Sequence, residues 1–266
     1  MPFTIAHAGF VVPLTRVLSP TIVCGLMIGS MVPDFPYFVR AFGLASFAHT
    51  LPGAFCVSFP LGLIVFLVVR LCFERISEIF PKPHSSFVSS WDLCGALGRR
   101  GLPGVMIAIV LGALVHYFID SLTHPSGFAV SMIPMLRAEP FSLSGEQLPV
   151  YRLLQYFGSA LGLAMLVVAY GLGFRRHCHV TDSGPWQDSR RWLFLLFLIG
   201  ATVVFAAVLN VEFIPREFDF YRWRVFGFQF LITWLPAMGG AFLCAAATGT
   251  SKPENERSDE VDRPSS

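Results

Sequence analysis

The chain has 266 residues, of which 54% are hydrophobic and 14% charged, and its formal net charge is +2. A globular domain in water carries about 25% charged residues, so an ordinary soluble domain is excluded, in line with a mean hydropathy of +0.63. So small a charge, with no basic stripe interleaved with aromatics, leaves no electrostatic footprint for a nucleic-acid partner.

The N-terminus reads MPFTIAHAGF, with no basic residue ahead of the apolar stretch. No cleavable signal is expected, and membrane insertion would rest on internal helices. Residues 9–33 are apolar but contain Pro13, Arg16 and Pro20. Proline removes a helical hydrogen bond, and an arginine within a span is costly unless paired. One or two short helices are therefore expected there, re-entrant, interfacial or packed on the bundle, rather than a further span.

Crossing a bilayer takes about 20 mostly apolar residues. Five windows meet this, at 52–71, 103–121, 154–174, 192–211 and 226–248. The expected fold is all-α: an integral membrane helical bundle of about five spanning helices over residues 1–249. The tail, 250–266, has Val261 as its one hydrophobic residue and is expected to be disordered, because it cannot bury enough surface to offset ordering entropy. The six cysteines (Cys24, Cys56, Cys72, Cys94, Cys178, Cys244) have no zinc-ribbon or redox spacing and read as small apolar packing residues.

In this topology the N-terminal segment, loop 122–153 and loop 212–225 share one side. Loops 72–102 and 175–191 and the tail share the other. Near its spans that second side holds Arg70, Arg75, Arg99, Arg100, Arg175, Arg176, Arg190 and Arg191. The first side holds Arg40, Arg137, Arg152, Arg216, Arg222 and Arg224, with Arg16 farther off. The modest excess puts the second side, with the tail, in the cytoplasm and the N-terminus outside.

Chemistry concentrates in four short motifs. In LGALVHYFIDSLTHPSG, His116, Asp120 and His124 follow one another at intervals of four, which stacks them on one helix face. They could be a buried pair that only stabilises the bundle. Ionisable groups inside a span, however, point to function, and imidazole with carboxylate suits zinc, manganese or iron. Asp34 lies between Pro33 and Pro36 in MVPDFPYF, His49 precedes the first confident span in FAHTLPG, and His7 lies in TIAHAG. Taken singly, these read as a turn acid, an interfacial histidine and an unremarkable one. The hydropathy-derived topology nevertheless gathers all six groups at one side. His84, His177 and His179 fall on the other side and read as solvated loop residues.

The ordered set HAG, MVPDF, FAHTLPG, HYFIDSLTHPSG and LPVYRLLQY resembles the bacterial membrane family catalogued as domain of unknown function 4184. That family is similar to membrane-bound metal-dependent hydrolases, and through them to the superfamily of zinc-dependent phospholipase C and single-strand-specific zinc nucleases. The resemblance implies a metal site of His7, Asp34, His49, His116 and Asp120, with His124 as a further ligand. It implies one or two divalent ions, zinc first among them. The soluble enzymes' downstream His-x-x-x-Glu pair and ligating free N-terminus have no counterpart here, so a trinuclear cluster is not expected.

The expected activity is hydrolysis of a phosphoester such as a lipid headgroup, at the outer face of a bacterial inner membrane. Asp34 would ligate or act as base. Arg152 and Gln155 would hold a phosphate oxygen, or else anchor the interface with Tyr151 and Tyr156. Two rival readings use the same residues: a small transporter or proton-binding protein, and a non-catalytic scaffold held by polar contacts.

Overall fold

A computed structural model describes residues 4–91, 93, 101–143, 146–177, 185–215, 217 and 219–248. The tail predicted to be disordered lies outside these residues, as do Cys94, Cys178, His179, Arg99, Arg100 and Arg216 and the side chain of His177.

The chain begins with α1 (Thr4–Val11), a 3-10 turn at Val12–Arg16, and α2 (Pro20–Met31). Pro13 and Pro20 account for the break, since neither can donate to a continuing helix. Ser19 caps α2 by accepting from the Ile22 amide, with Pro20 at the first helical position, where its missing N–H is no loss. A further 3-10 turn at Val32–Asp34 leads into α3 (Phe35–Phe38). Then come α4 (Phe42–Ala48), α5 (Leu51–Gly53) and a π-helical stretch, Ala54–Ser58, which opens into α6 (Phe59–Ile79).

After α7 (His84–Ser89) and α8 (Gly101–Thr123), the connecting region holds α9 (Phe128–Met132), α10 (Pro134–Arg137) and a small antiparallel hairpin. In the hairpin β1 (Phe141–Leu143) meets β2 (Glu146–Leu148) with Phe141 opposite Leu148. Three long helices complete the bundle: α11 (Val150–His177), α12 (Pro185–Leu209) and α13 (Phe220–Thr248).

The fold is an all-α membrane bundle. Among the described residues, six helical stretches are long and apolar enough to cross a membrane. Five coincide with the windows expected from hydropathy, the one at 192–211 ending two residues earlier, at Leu209. The sixth, Pro20–Phe38, extends the N-terminal expectation. Its helices are individually short, as Pro13, Pro20 and Pro33 dictate, but α2, the 3-10 turn and α3 run on as one path long enough to cross.

Close glycine packing fixes how this stretch sits. A Cβ on Gly29 would fall 2.1 Å from the Ile109 carbonyl oxygen, and one on Gly112 would fall 2.3 Å from that of Leu26. Lacking Cβ atoms, the backbones of α2 and α8 come nearly into contact, which is how small residues pack helices in lipid. Successive partners advance in the same direction, so α2 and α8 are parallel. Ile22 lies against Gly104 near the start of α8, and Ser30 against His116 near its end. Helix α1 returns the other way: Val11 clusters with Leu26 and Ala108, and His7 stacks on His116. Residues 4–38 therefore form a helical hairpin whose two ends, His7 and Asp34, meet at the C-terminal end of α8. Beneath that point the core is apolar, built from Ile28, Val32, Phe66, Val105 and Ile109.

One expectation fails at the opposite end. His84, read as a solvated loop residue, is half-buried. Its ring stacks on Phe174 at 4.7 Å and meets Trp192 edge-on at 5.6 Å, and its Nδ1 bonds the Tyr170 hydroxyl. Aromatic residues at the ends of α11 and α12 enclose it, and hydropathy alone carries no sign of such a box.

Leucine at Gly29 must push α2 off α8, and overpacking of this kind costs about 1–3 kcal/mol. Gly29→Leu is expected to lower the thermal midpoint in detergent and to reduce bound metal in parallel, because the same seam aligns Ser30 with His116. Scanning fluorimetry with elemental mass spectrometry checks both, and an unchanged midpoint would count against the seam.

Candidate metal centre

The groups of the centre come from four pieces of backbone. His7 lies in the first helix, Asp34 at the end of the 3-10 turn after α2, and His49 at the C-terminal cap of α4. His116, Asp120 and His124 project from the end of α8 and the turn after it. His7, Asp34, His116 and Asp120 are buried. The structure thus brings together all six residues expected from the sequence.

Two backbone carbonyls orient the imidazoles. His49 Nδ1 lies 2.8 Å from the Ala45 carbonyl oxygen, and His116 Nδ1 lies 2.8 Å from that of Ser30. A carbonyl oxygen only accepts, so both Nδ1 atoms donate. Each ring then directs Nε2 toward the centre, and the two Nε2 atoms are 3.0 Å apart. Neutral rings would set two lone pairs against each other at that distance. A proton or a shared cation resolves the conflict. Metal-bound histidines characteristically donate their second N–H to a carbonyl or carboxylate in this way.

The carboxylates close on the same point. Asp120 Oδ2 is 3.3 Å from His116 Nε2 and 3.4 Å from His49 Nε2. Asp34 Oδ1 is 3.2 Å from His49 Nε2 and 3.8 Å from His116 Nε2. Ligands about 2.0–2.1 Å from one zinc ion lie about 3.3 Å from each other in a tetrahedron. The separations here fall around that value. Among the described residues, two overlapping sets have metal-binding spacing, His49–His116–Asp120 and His7–Asp34–His116. They share His116 and so form one centre.

Buried atoms around this point have polar capacity left over. Among the described residues, both ring nitrogens of His7, Asp34 Oδ2 and Asp120 Oδ1 are buried without a hydrogen bond. An unmade hydrogen bond on a buried polar atom costs about 1–3 kcal/mol. The His7 ring lies 4.1 Å from that of His116, with Nε2 3.6 Å from Asp120 Oδ1. The donor set, three imidazoles and two carboxylates with these atoms unbonded, fits a zinc-like divalent ion.

Burial, reinforced by neighbouring His116, pushes the His7 imidazole down to about 3, leaving it neutral at physiological pH. Burial also works to lower His49, but its hydrogen bonds to Asp120 and Asp34 outweigh this and raise it to about 10.

His124 lies at the edge. Its Nδ1 is 3.5 Å from Asp120 Oδ1, and its side chain is 22% exposed. It belongs to neither ligand set. It does belong to the wall of two cavities, one of about 530 Å³ beside His49 and Asp120 and one of about 630 Å³ that Arg152 and Gln155 line. Asp34 lines neither cavity: it lies behind His49, where ligation suits it better than proton transfer to a cavity water.

Two residues of this region were not foreseen. Tyr37 packs on His49 at 5.8 Å and, with His124, lines both cavities. Arg224 faces the larger cavity across from Arg152. Tyr37 follows Asp34 by one helical turn, a spacing that carries no chemistry by itself. Arg224 belongs to a basic, aromatic run that counts equally well as a topology signal.

Fold and centre together define a helical membrane protein with a buried His/Asp cluster of metal-binding spacing. The chain belongs to the family described as Domain of unknown function (DUF4184), which matches residues 1–247. No curated protein and no solved structure matches it.

Because the raised value keeps His49 protonated through neutral pH, a cation must displace that proton, and binding releases it. Zinc affinity is expected to strengthen with pH across 6–8 by up to about tenfold per unit. Calorimetry in buffers of differing ionisation enthalpy is expected to detect about one proton released per ion. Without the ion the sign reverses. The proton's contribution to folding is full below about 6.5 and is lost as pH rises through about 10. Zinc binding with no proton release would contradict this arrangement.

Proposed function

We propose that this chain is a membrane-bound, metal-dependent hydrolase of phosphoesters. On this reading it holds one or two divalent ions, zinc first, at the outer face of a bacterial inner membrane, with its C-terminal tail in the cytoplasm. The observation that carries the proposal is the convergence of His49 Nε2, His116 Nε2 and Asp120 Oδ2 at mutual separations of 3.0, 3.3 and 3.4 Å.

His49, His116 and Asp120 hold the ion, with His7 and Asp34 completing the site from the buried side. A divalent ion bound there supplies Lewis acidity and brings water within reach of deprotonation near pH 7. The protein's own residues do the rest. His124, whose Nδ1 lies 3.3 Å from the Thr123 hydroxyl and 3.5 Å from Asp120 Oδ1, takes the proton as water attacks phosphorus. The bond from phosphorus to the leaving alkoxide then breaks, and the alkoxide takes up a proton. Arg152 and Gln155, across the larger cavity from the centre, grip the non-bridging oxygens; a guanidinium suits this because it can donate two parallel hydrogen bonds. The basic residues near the spans at the other end support the orientation.

Purified full-length protein is expected to carry near-stoichiometric zinc by elemental mass spectrometry. His116→Ala is expected to lose nearly all of it. His124→Gln is expected to keep its zinc but hydrolyse a chromogenic phosphodiester about 10²–10⁴-fold more slowly, the usual contribution of a general base. Wild-type protein that takes up no zinc after chelation and re-addition would end the proposal. Zinc binding without hydrolysis, together with zinc flux into liposomes, would favour transport.

A further inference from the structure

At the end of the bundle that holds the centre, two short segments present their surfaces the wrong way round for water. In α4 the small residues Ala45 and Ala48 are buried, whereas Phe42, Leu44 and Phe47 are exposed. In α9 and α10, Val130 and Leu136 are buried, whereas Phe128, Met132 and Met135 are 61%, 66% and 69% exposed. Single exposed apolar residues are ordinary on a protein surface, but runs of them mark a contact.

Both patches continue the exposed apolar surface of the spans. Leu51 and Phe55 carry the exposed side of α4 onward to Ile64 and Leu67 on α6. On α8, Leu111 and Phe118 are exposed seven residues apart, on one helix face that leads on to Phe128 beyond the turn. Residues 41–69 hold no Asp, Glu, Lys or Arg, and residues 101–136 hold only Asp120, which is buried. Charge returns at Arg40 and Arg137, both exposed. Backbone polarity sets the depth. Helix α4 has seven residues and α9 has five, so much of their backbone lies at helix ends, where amides and carbonyls need water. These segments belong at headgroup level and not in hydrocarbon.

We infer that α4 and α9–α10 form an interfacial collar, seated in the headgroup region of one leaflet with Leu44, Phe47, Met132 and Met135 against the lipid. The partner is a lipid surface and not a second protein, because the patches have no edge on the side of the spans: they run into the lipid-facing surface of α6 and α8. The collar flanks the cavity of about 530 Å³ beside the centre, to whose wall α4 contributes Ser46 and α9 contributes Ser131. That cavity therefore opens at headgroup level. The larger cavity, which follows α13 from Tyr221 to Leu235, meets it at Tyr37 and His124. The collar stands on the fold alone, whatever the centre catalyses.

The test is photocross-linking of the full-length protein in vesicles of dioleoyl phosphatidylcholine, with p-benzoylphenylalanine placed singly at Leu44, Phe47, Met132 and Met135. Ile64, on a span, is the lipid reference, and Glu217, exposed in the loop ahead of α13, is the water reference. By intact-protein mass spectrometry, the collar positions are expected to give lipid adducts within about twofold of Ile64 and about tenfold above Glu217, as for side chains seated about 5–10 Å into the interface. Two positions in each segment keep the result readable if one variant fails to fold. Adduct yields at the Glu217 level would overturn the collar. Cross-linked dimers in place of lipid adducts would overturn it in favour of a second copy. Protein stripped of metal is expected to give the same adducts. Loss of the hydrolase reading therefore leaves the collar standing, and failure of the adducts leaves the metal centre standing.

Discussion

Two hydrogen bonds from imidazole to backbone govern the chemistry of this molecule. The carbonyls of Ala45 and Ser30 each accept from an Nδ1, and a carbonyl cannot donate in return. The tautomer of each neutral ring is thereby fixed, and both Nε2 atoms point into one small volume with two carboxylates. Either bond alone would orient one ring. The pair produces the convergence, because their acceptors lie on separate elements held in register by tertiary packing. The seam between α2 and α8 supplies that register. The offset of 86 residues that sets Ser30 against His116 also sets Asp34 against Asp120 and Leu26 against Gly112. A backbone contact made possible by missing Cβ atoms thus becomes a constraint on ligand geometry one and two turns farther along.

Much of this could be read from the chain because it is local. The five apolar windows are properties of contiguous residues, and so is the interval of four that places His116 and Asp120 on one helix face. Gathering His7, Asp34 and His49 at the same end needed only a count of crossings, and the N-terminal hairpin preserves that count because its two ends, His7 and Asp34, both lie at the C-terminal end of α8. Three features were not legible. The carbonyls that orient the histidines belong to the backbone, which has no sequence identity to read. The capacity of residues 20–38 to cross depends on proline-broken turns staying collinear, which follows from packing on α8 and not from propensity. The enclosure of His84 depends on aromatics about 90–110 residues later in the chain, and no periodic pattern predicts such a meeting.

The bundle treats its buried polar groups in two ways. Between α12 and α13, Asn210 donates to the Ala206 carbonyl at 2.8 Å and to Thr233 at 3.1 Å, and Trp234 donates to Thr202 at 3.2 Å. These are neutral contacts that tie two lipid-facing helices together, each worth on average about 0.6 kcal/mol. The His/Asp centre is of another kind. It concentrates ionisable groups. Among the described residues Asn210 Oδ1 and Gln229 Oε1 are also buried without hydrogen bonds, but those are neutral amides, whereas the centre leaves imidazole and carboxylate atoms unbonded. A cluster serving only to hold helices would gain by satisfying those atoms or by being replaced with apolar residues, since unpaired buried polarity is unfavourable. Retaining them fits a role that needs open coordination.

The position of the centre bears on which role that is. Ion transfer across a membrane requires polar groups or water along the whole path. Here the space directly beneath His116, toward the start of α8, is filled by Ile109, Val105, Ile28 and Phe66, all packed close to the glycine seam. The side of the centre formed by His49 and Asp120 opens instead on a cavity, and His124 links that cavity to the amphipathic one along α13. On the proposed reading, a centre closed toward the membrane interior and open toward one face meets its substrate from that face. The apolar core below keeps charge and water from leaking inward, where ionisable groups are most costly. Strong electrostatics at a water-accessible lip, backed by hydrocarbon, suit bond cleavage at the membrane surface better than passage through it.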